Sequence, residues 1–193
     1  MYFTTEFFKN IQQAYTNNYN HNQHTPTIID IVIEVPTHSQ IKYEFDPSIS
    51  PAGGIRLDRI LHNSNAFPWN YGFIPNTMSP DEDPLDIFVL CNHPILPGTT
   101  ANVKVLGGIV TRDEKGLDHK LVSVLTKDPE FASYNSINDL PDLYTSKIKY
   151  FLQHYKDGEH GKFINVDNLF YDHVRATEII EEFTLGPFIE EVD

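Results

Sequence analysis

Period-two alternation, repeated over several short segments, is the constraint that most limits what this chain can fold into. In residues 28–35, Ile29, Ile31, Ile33 and Val35 share one face, while Asp30 and Glu34 project to the other. Pro36 ends the segment. Residues 41–45 repeat the logic, with Ile41, Tyr43 and Phe45 on one side and Lys42 and Glu44 on the other. The two segments read as a hairpin turned by residues 37–40. Further strand-like runs fall at 55–61, 87–90, 103–110 and 121–125, and Gly107-Gly108 marks a bulge in the third of these. Helical spacing is confined towards the ends: residues 5–15 behind a Thr cap, 140–155 with Pro141 in the first turn, and 172–183 before Gly186-Pro187. Short strands with helices gathered at the ends imply an α+β domain on a strongly bent sheet or small barrel.

The 193 residues suffice for one sizeable domain. Residues 1–26 read as an N-terminal helix and an Asn- and His-rich linker, and 27–193 as a single domain. His21 and His24 could suggest a metal, but with no third ligand nearby they read as part of that linker. The 27 acidic residues against 14 basic ones give a formal charge of −13. Such a surface argues against nucleic acid or an anionic membrane as partner, because Lys and Arg make the phosphate contacts. Cys91 is the single cysteine, so no disulfide can form within the chain. No apolar run approaches a membrane span and no secretory signal is evident, which points to the cytoplasm.

The chemistry concentrates in Asp81-Glu82-Asp83-Pro84-Leu85-Asp86, four acids in six residues just before the apolar run Ile87-Phe88-Val89-Leu90. Read alone, this is either a solvated loop or a site for a hard, oxygen-ligated cation. An EF-hand fits badly: the aspartates fall at positions 1, 3 and 6, no glycine or distal glutamate follows, and the next segment is a strand. A second carboxylate pair, Asp113 and Asp118, precedes Lys120. In isolation it is an ordinary charged turn, as Lys42 and Glu44 are an ordinary solvated strand face.

Together these motifs resemble the soluble inorganic pyrophosphatases built on an OB-type barrel. That family's signature is Asp-Gly-Asp-Pro-apolar-Asp, which residues 81–86 match at all three aspartates and the proline. Ile31-Val32-Ile33-Glu34-Val35-Pro36, Ile41-Lys42-Tyr43-Glu44, Asp58-Arg59, Asn70-Tyr71-Gly72, Asp113 with Asp118 and Lys120, and His154-Tyr155-Lys156-Asp157 follow in the family's order. The resemblance covers residues 27–162. It implies a small closed or highly bent antiparallel β-barrel, OB-like, flanked by two C-terminal helices and a short N-terminal helix. It implies hydrolysis of pyrophosphate to two phosphates by in-line attack of a metal-bridging water. Asp81, Asp86 and Asp118 would hold the tightest ion, Asp86 would share a second, Asp113 and Asp118 would bind a third, and Glu44 a fourth through water. Asp83 would be the general base. Lys42, Arg59, Tyr71, Lys120, Tyr155 and Lys156 would bind phosphoryl oxygens, and Glu34 would support the site. The implied cofactor is Mg²⁺, several ions per site, with Mn²⁺ or Zn²⁺ as substitutes. A homo-oligomer is implied too, a hexamer rather than a dimer, with His154 and Asp157 at its interface and Tyr150 in place of a histidine.

Two positions depart from the pattern. Glu82 stands where the family has glycine, and Phe67 where many bacterial members have tyrosine. Neither is an implied ligand or the base. A catalytically silent OB-type module would want a basic, aromatic groove, against the −13 charge. A divalent-cation-binding protein without catalysis would not need Lys42, Arg59, Lys120 and Lys156.

Overall fold

A computed structural model describes residues 25–50 and 52–185. The elements are β1 (Ile28–Val35), β2 (Ile41–Asp46), β3 (Gly54–Ile60), β4 (Asn70–Phe73), β5 (Asp86–Leu90), β6 (Thr100–Asp113), β7 (Gly116–Leu125), a 3₁₀ turn (Ile137–Asp139), α1 (Asp142–His154), β8 (Ile164–Val166), β9 (Tyr171–Asp172) and α2 (His173–Phe183). The helix expected over residues 5–15 and the linker after it lie outside the described residues, as does Gly186-Pro187. No helix among the described residues is long and apolar enough to cross a membrane.

Five strands close into a ring, β1-β4-β5-β7-β6, because β6 pairs back onto β1. The α+β barrel is therefore present, but it is mixed rather than antiparallel throughout. β5 and β7 run parallel, with Asp86 opposite Lys120 and Leu90 opposite Val124. The 14-residue β6 makes this possible: it carries the chain back between them and pairs antiparallel with β7 along most of its length.

The expected hairpin of residues 28–35 and 41–45 does not form. β1 pairs with β4 and β6, while β2 pairs with β3 as a separate two-stranded ribbon. The reason is burial. Val32 occupies the face assigned to polar residues and is as buried as Ile31 and Ile33, so β1 is covered on both sides. Residues 37–40 instead bond to the chain around Phe67: His38 N–H donates to Phe67 O (2.8 Å) and Phe67 N–H to Ser39 O (2.9 Å).

Side chains leave the barrel strands alternately into two apolar clusters. Phe88, Leu90, Val122 and Val124 join Phe67, Trp69, Phe131 and the α1 residues Ile148, Phe151 and Leu152. Ile87, Val89, Val103 and Leu121 join Ile29, Ile31, Ile33 and the α2 residues Ala176, Ile179 and Ile180. Each fully buried side chain of this size contributes about 1.5–3 kcal/mol, so the helices clamp the ring from two directions. The Gly107 bulge is where β6 changes cluster, from Val105 to Leu106 and Ile109. A Cβ at Gly107 would meet Tyr171 O of β9 at 2.2 Å.

α1 starts at Asp142, two residues later than expected, so Pro141 stands before it with no side-chain cap bond rather than in its first turn. Asp172 is the N-cap of α2, accepting from Arg175 N–H at 3.1 Å. The end of β1, the start of β5 and strand β2 open on one cavity, lined by Glu34, Asp86, Lys42 and Glu44.

Candidate active site

The 81–86 loop is held from beneath. Thr77 Oγ1 accepts Leu85 N–H (2.9 Å), Ser79 N–H donates to Asp83 O (2.9 Å), and Glu82 N–H donates to Ser79 O (3.0 Å). Ser79 Oγ lies 2.7 Å from both Asp81 Oδ1 and Asp83 O, and can donate to one at a time. Asp81 Oδ1 also accepts the Asp83 N–H at 3.3 Å. The turn puts Glu82 at φ 68°, the left-handed region that glycine adopts freely and glutamate does not.

Asp86 opens β5, and Lys120 and Asp118 stand beside it on β7. The Lys120 ammonium is buried and contacts both carboxylates. Burial would lower the Lys120 pKa, but the charges of Asp86 and Asp118 hold it well above its usual value. One cation does not satisfy two carboxylates here. Burial pushes Asp118 up to about 6; Lys120 opposes this, and Asp86 and Asp81 add to it.

Glu34, at the end of β1, faces the same cleft. Burial pushes it up to about 8 even though it accepts the Phe45 N–H, with Asp86 and Glu44 contributing repulsion. Burial likewise raises Tyr71 and Tyr155, with Asp86 and Asp118 adding to it, so both phenols remain neutral hydrogen-bond donors.

The remaining basic groups pair around the rim. Lys42 contacts Glu44 and lies 3.5 Å from Asp58; Arg59 contacts Asp58 and Glu159, the latter at 3.0 Å through Nε. Lys156, just past α1, lies 2.7 Å from Asp113 Oδ2 and 3.4 Å from Glu114 Oε2. Burial works against the Asp113 charge, yet Lys156 and the Lys115 N–H hold it below the usual carboxylate range. Of the thirteen residues singled out from sequence, Glu34, Lys42, Glu44, Tyr71, Asp83 and Asp86 line one cleft. Asp118 and Lys120 adjoin it through the Lys120–Asp86 contact, Arg59 shares Asp58 with Lys42, and Asp113 pairs with Lys156. Glu44 and Asp83 are at the exposed margin of the cleft; Asp118, Lys120, Tyr71 and Glu34 form its floor.

Sequence reading missed Ser79, Glu114, Lys115 and Glu159, and gave Asp58 no role. Ser79 could have been found as a hydroxyl two residues before an aspartate, a common local capping pattern. Glu159 and Lys115 act across the fold and leave no local mark. Phe67, the departure from tyrosine, is buried among Tyr71 (5.4 Å between ring centroids) and Phe151 (4.5 Å).

Among the described residues no three acidic or histidine side chains converge as a closed coordination set. The donors nevertheless suit a hard divalent cation. They are carboxylates on a stiff loop and two adjacent strands, and their mutual repulsion survives Lys120.

A five-stranded ring that brings Asp86, Asp118 and the buried Lys120 together at one edge suits a hydrolase that handles phosphate with hard cations. Residues 31–185 match the family model for inorganic pyrophosphatase. The chain is 42% identical over 143 residues to the inorganic pyrophosphatase of Aeropyrum pernix, covering 73% of this chain and 80% of that protein. It is 40% identical over 146 residues to that of Sulfolobus acidocaldarius, covering 75% and 83%. Among solved structures, the inorganic pyrophosphatase of Thermus thermophilus superposes with a TM-score of 0.77 at 36% identity, covering 86% of this chain and 95% of that one. The chain belongs to the inorganic pyrophosphatase family, and its activity is hydrolysis of pyrophosphate.

Proposed function

We propose that the cleft performs this hydrolysis with Mg²⁺ as the working ion, by direct attack of water and without a covalent intermediate. The observation that carries the reading is the pair Asp86 and Asp118, carried on the parallel neighbours β5 and β7, both touching Lys120 and incompletely neutralised by it. Asp81, Asp86 and Asp118 would hold the tightest ion, Asp113 would join Asp118 at a further one, and Glu44 would reach another through water. When bound, such ions supply Lewis acidity, lowering the pKa of water from ~16 towards ~7 and neutralising phosphate oxygens.

The chain's own groups do the rest. Pyrophosphate carries several negative charges, so an attacking water is repelled unless cations screen them. Lys42, Arg59, Lys120 and Lys156 supply fixed positive charge around the cleft, and Tyr71 and Tyr155 donate neutral hydrogen bonds. Asp83 is held at the margin by the Pro84-stiffened loop, where water reaches it, and accepts the water's proton. Glu34, held near-neutral by burial, gives the floor a proton-bearing wall.

The −13 charge argues for a small anionic substrate handled through metal ions rather than nucleic acid or a membrane surface, and the setting we infer is cytoplasmic. We also infer a homo-oligomer, a hexamer rather than a dimer. Tyr150 and His154 pack as tilted rings on the exposed side of α1 (4.6 Å between centroids), and His154 Nδ1 lies 2.9 Å from Asp157 Oδ2. Light scattering at six chain masses supports this, whereas a mass of one or two chains contradicts it. For the chemistry, phosphate release from pyrophosphate should be rapid with Mg²⁺ and vanish in excess chelator. Equal release in both conditions would defeat the metal reading.

A further inference from the structure

The hairpin between β6 and β7 turns on Glu114 and Lys115. Asp113 shapes the turn by accepting the Lys115 N–H on its Oδ1 at 2.8 Å. The Lys115 side chain reaches the 81–86 loop. Its Nζ lies 2.8 Å from Asp83 Oδ2, a contact that spans 32 residues. Both partners are half-exposed, at 55% and 60% of their side-chain surface. Asp81 and Asp113 add to the negative field at the ammonium.

Lys115 differs from the other cations of the site. Lys120 and Lys156 are buried and each touches two carboxylates; Lys42 has Glu44 and Asp58, and Arg59 has Asp58 and Glu159. Among the described residues Lys115 has Asp83 alone as ion-pair partner. Its ammonium can swing into water on a flexible stem without breaking core packing, at the small cost of an exposed ion pair.

We propose that Lys115 is a tethered counter-ion of the 81–86 loop, which competes with the divalent cation for the loop's negative charge and gives way when that cation loads. It rests on the reading of this loop as a metal-loading wall. A unit positive charge within a few ångströms of a doubly charged ion weakens that ion's binding, and because both groups meet water the effect is modest and screened by salt. Lys115 thereby sets how much free cation the enzyme needs.

The test is Mn²⁺ binding to the full chain, followed by the electron paramagnetic resonance signal of free Mn²⁺ and without substrate. Lys115→Gln should tighten binding by about three- to tenfold at low salt, with the gain shrinking at high salt. Lys115→Arg, which keeps the charge, should bind as wild type does. Lys149→Gln removes one charge from α1 far from the loop and should change nothing. Asp86→Asn should weaken the tightest binding, which tests the underlying reading. Unchanged Mn²⁺ affinity in Lys115→Gln, with Asp86→Asn weakened, overturns the counter-ion role and leaves the metal reading standing. A melting-temperature shift in Lys115→Gln without an affinity change assigns the contact to hairpin stability and also overturns it. If wild type and Asp86→Asn bind Mn²⁺ alike, the reading of the loop fails and the proposal with it.

Discussion

Glu34 Oε1 accepts the backbone N–H of Phe45 at 2.6 Å, so a buried carboxylate on the barrel wall anchors the ribbon that carries Lys42 and Glu44. The bond links two elements that share no strand pairing. It sits in a cleft where Asp86 and Glu44 disfavour a further negative charge.

This makes stability depend on pH in a definite direction. Glu34 is raised from 4.5 to about 8 on folding. The folded chain therefore binds a proton that the unfolded chain releases. The stabilisation is fully present below about 4.5 and is lost as pH rises through about 8. In chelator, the melting-temperature advantage of wild type over Glu34→Gln should shrink between pH 5 and pH 8.5. A pH-independent difference would contradict the assignment.

Gly72 on β4 lies opposite Ile33 of β1. A Cβ there would lie 1.9 Å from Val32 O and 2.9 Å from Ile33 Cα, both backbone atoms that cannot swing aside. Gly72→Ala should cost about 3 kcal/mol or more, lowering the melting temperature by roughly 6–12 °C. Pyrophosphate hydrolysis should fall with it, because Tyr71 is carried on the same strand. A melting temperature within a degree of wild type would mean that β4 can shift without loss.

Glu82 adopts φ 68° in a turn closed by Ser79. A left-handed non-glycine residue costs about 1–2 kcal/mol, and glycine's extra chain entropy returns part of that. Glu82→Gly should therefore gain roughly 0.5–1 kcal/mol, visible as a rise of a few degrees in thermal melting with chelator. A lower melting temperature would show that the Glu82 side chain makes compensating contacts across the cleft.

Much of this was legible in the chain itself. The 81–86 motif, Asp113, Asp118 and Lys120 could be assigned to one site only through their resemblance to the pyrophosphatase family, since each segment alone reads equally well as a solvated, charged loop. Which strands pair was not legible. Residues 28–35 alternate in the same way whether their neighbour is residues 41–45 or β4 and β6, since alternation reports faces and not partners. Val32 was the available hint: an apolar residue between Asp30 and Glu34 signals burial on both faces. The parallel β5–β7 pairing was equally hidden, because β6 separates the two in sequence. Lys115 and Glu159 act on residues 32 and 100 positions away, and such contacts exist only after folding.

We propose that Asp83 accepts the proton of the attacking water in a metal-loaded cleft. The most direct test is steady-state phosphate release at saturating Mg²⁺ by wild type and Asp83→Asn, with Mn²⁺ binding measured on both. We predict a fall in kcat of about 10²–10⁴-fold with Mn²⁺ still bound. A variant with undiminished kcat would contradict the account.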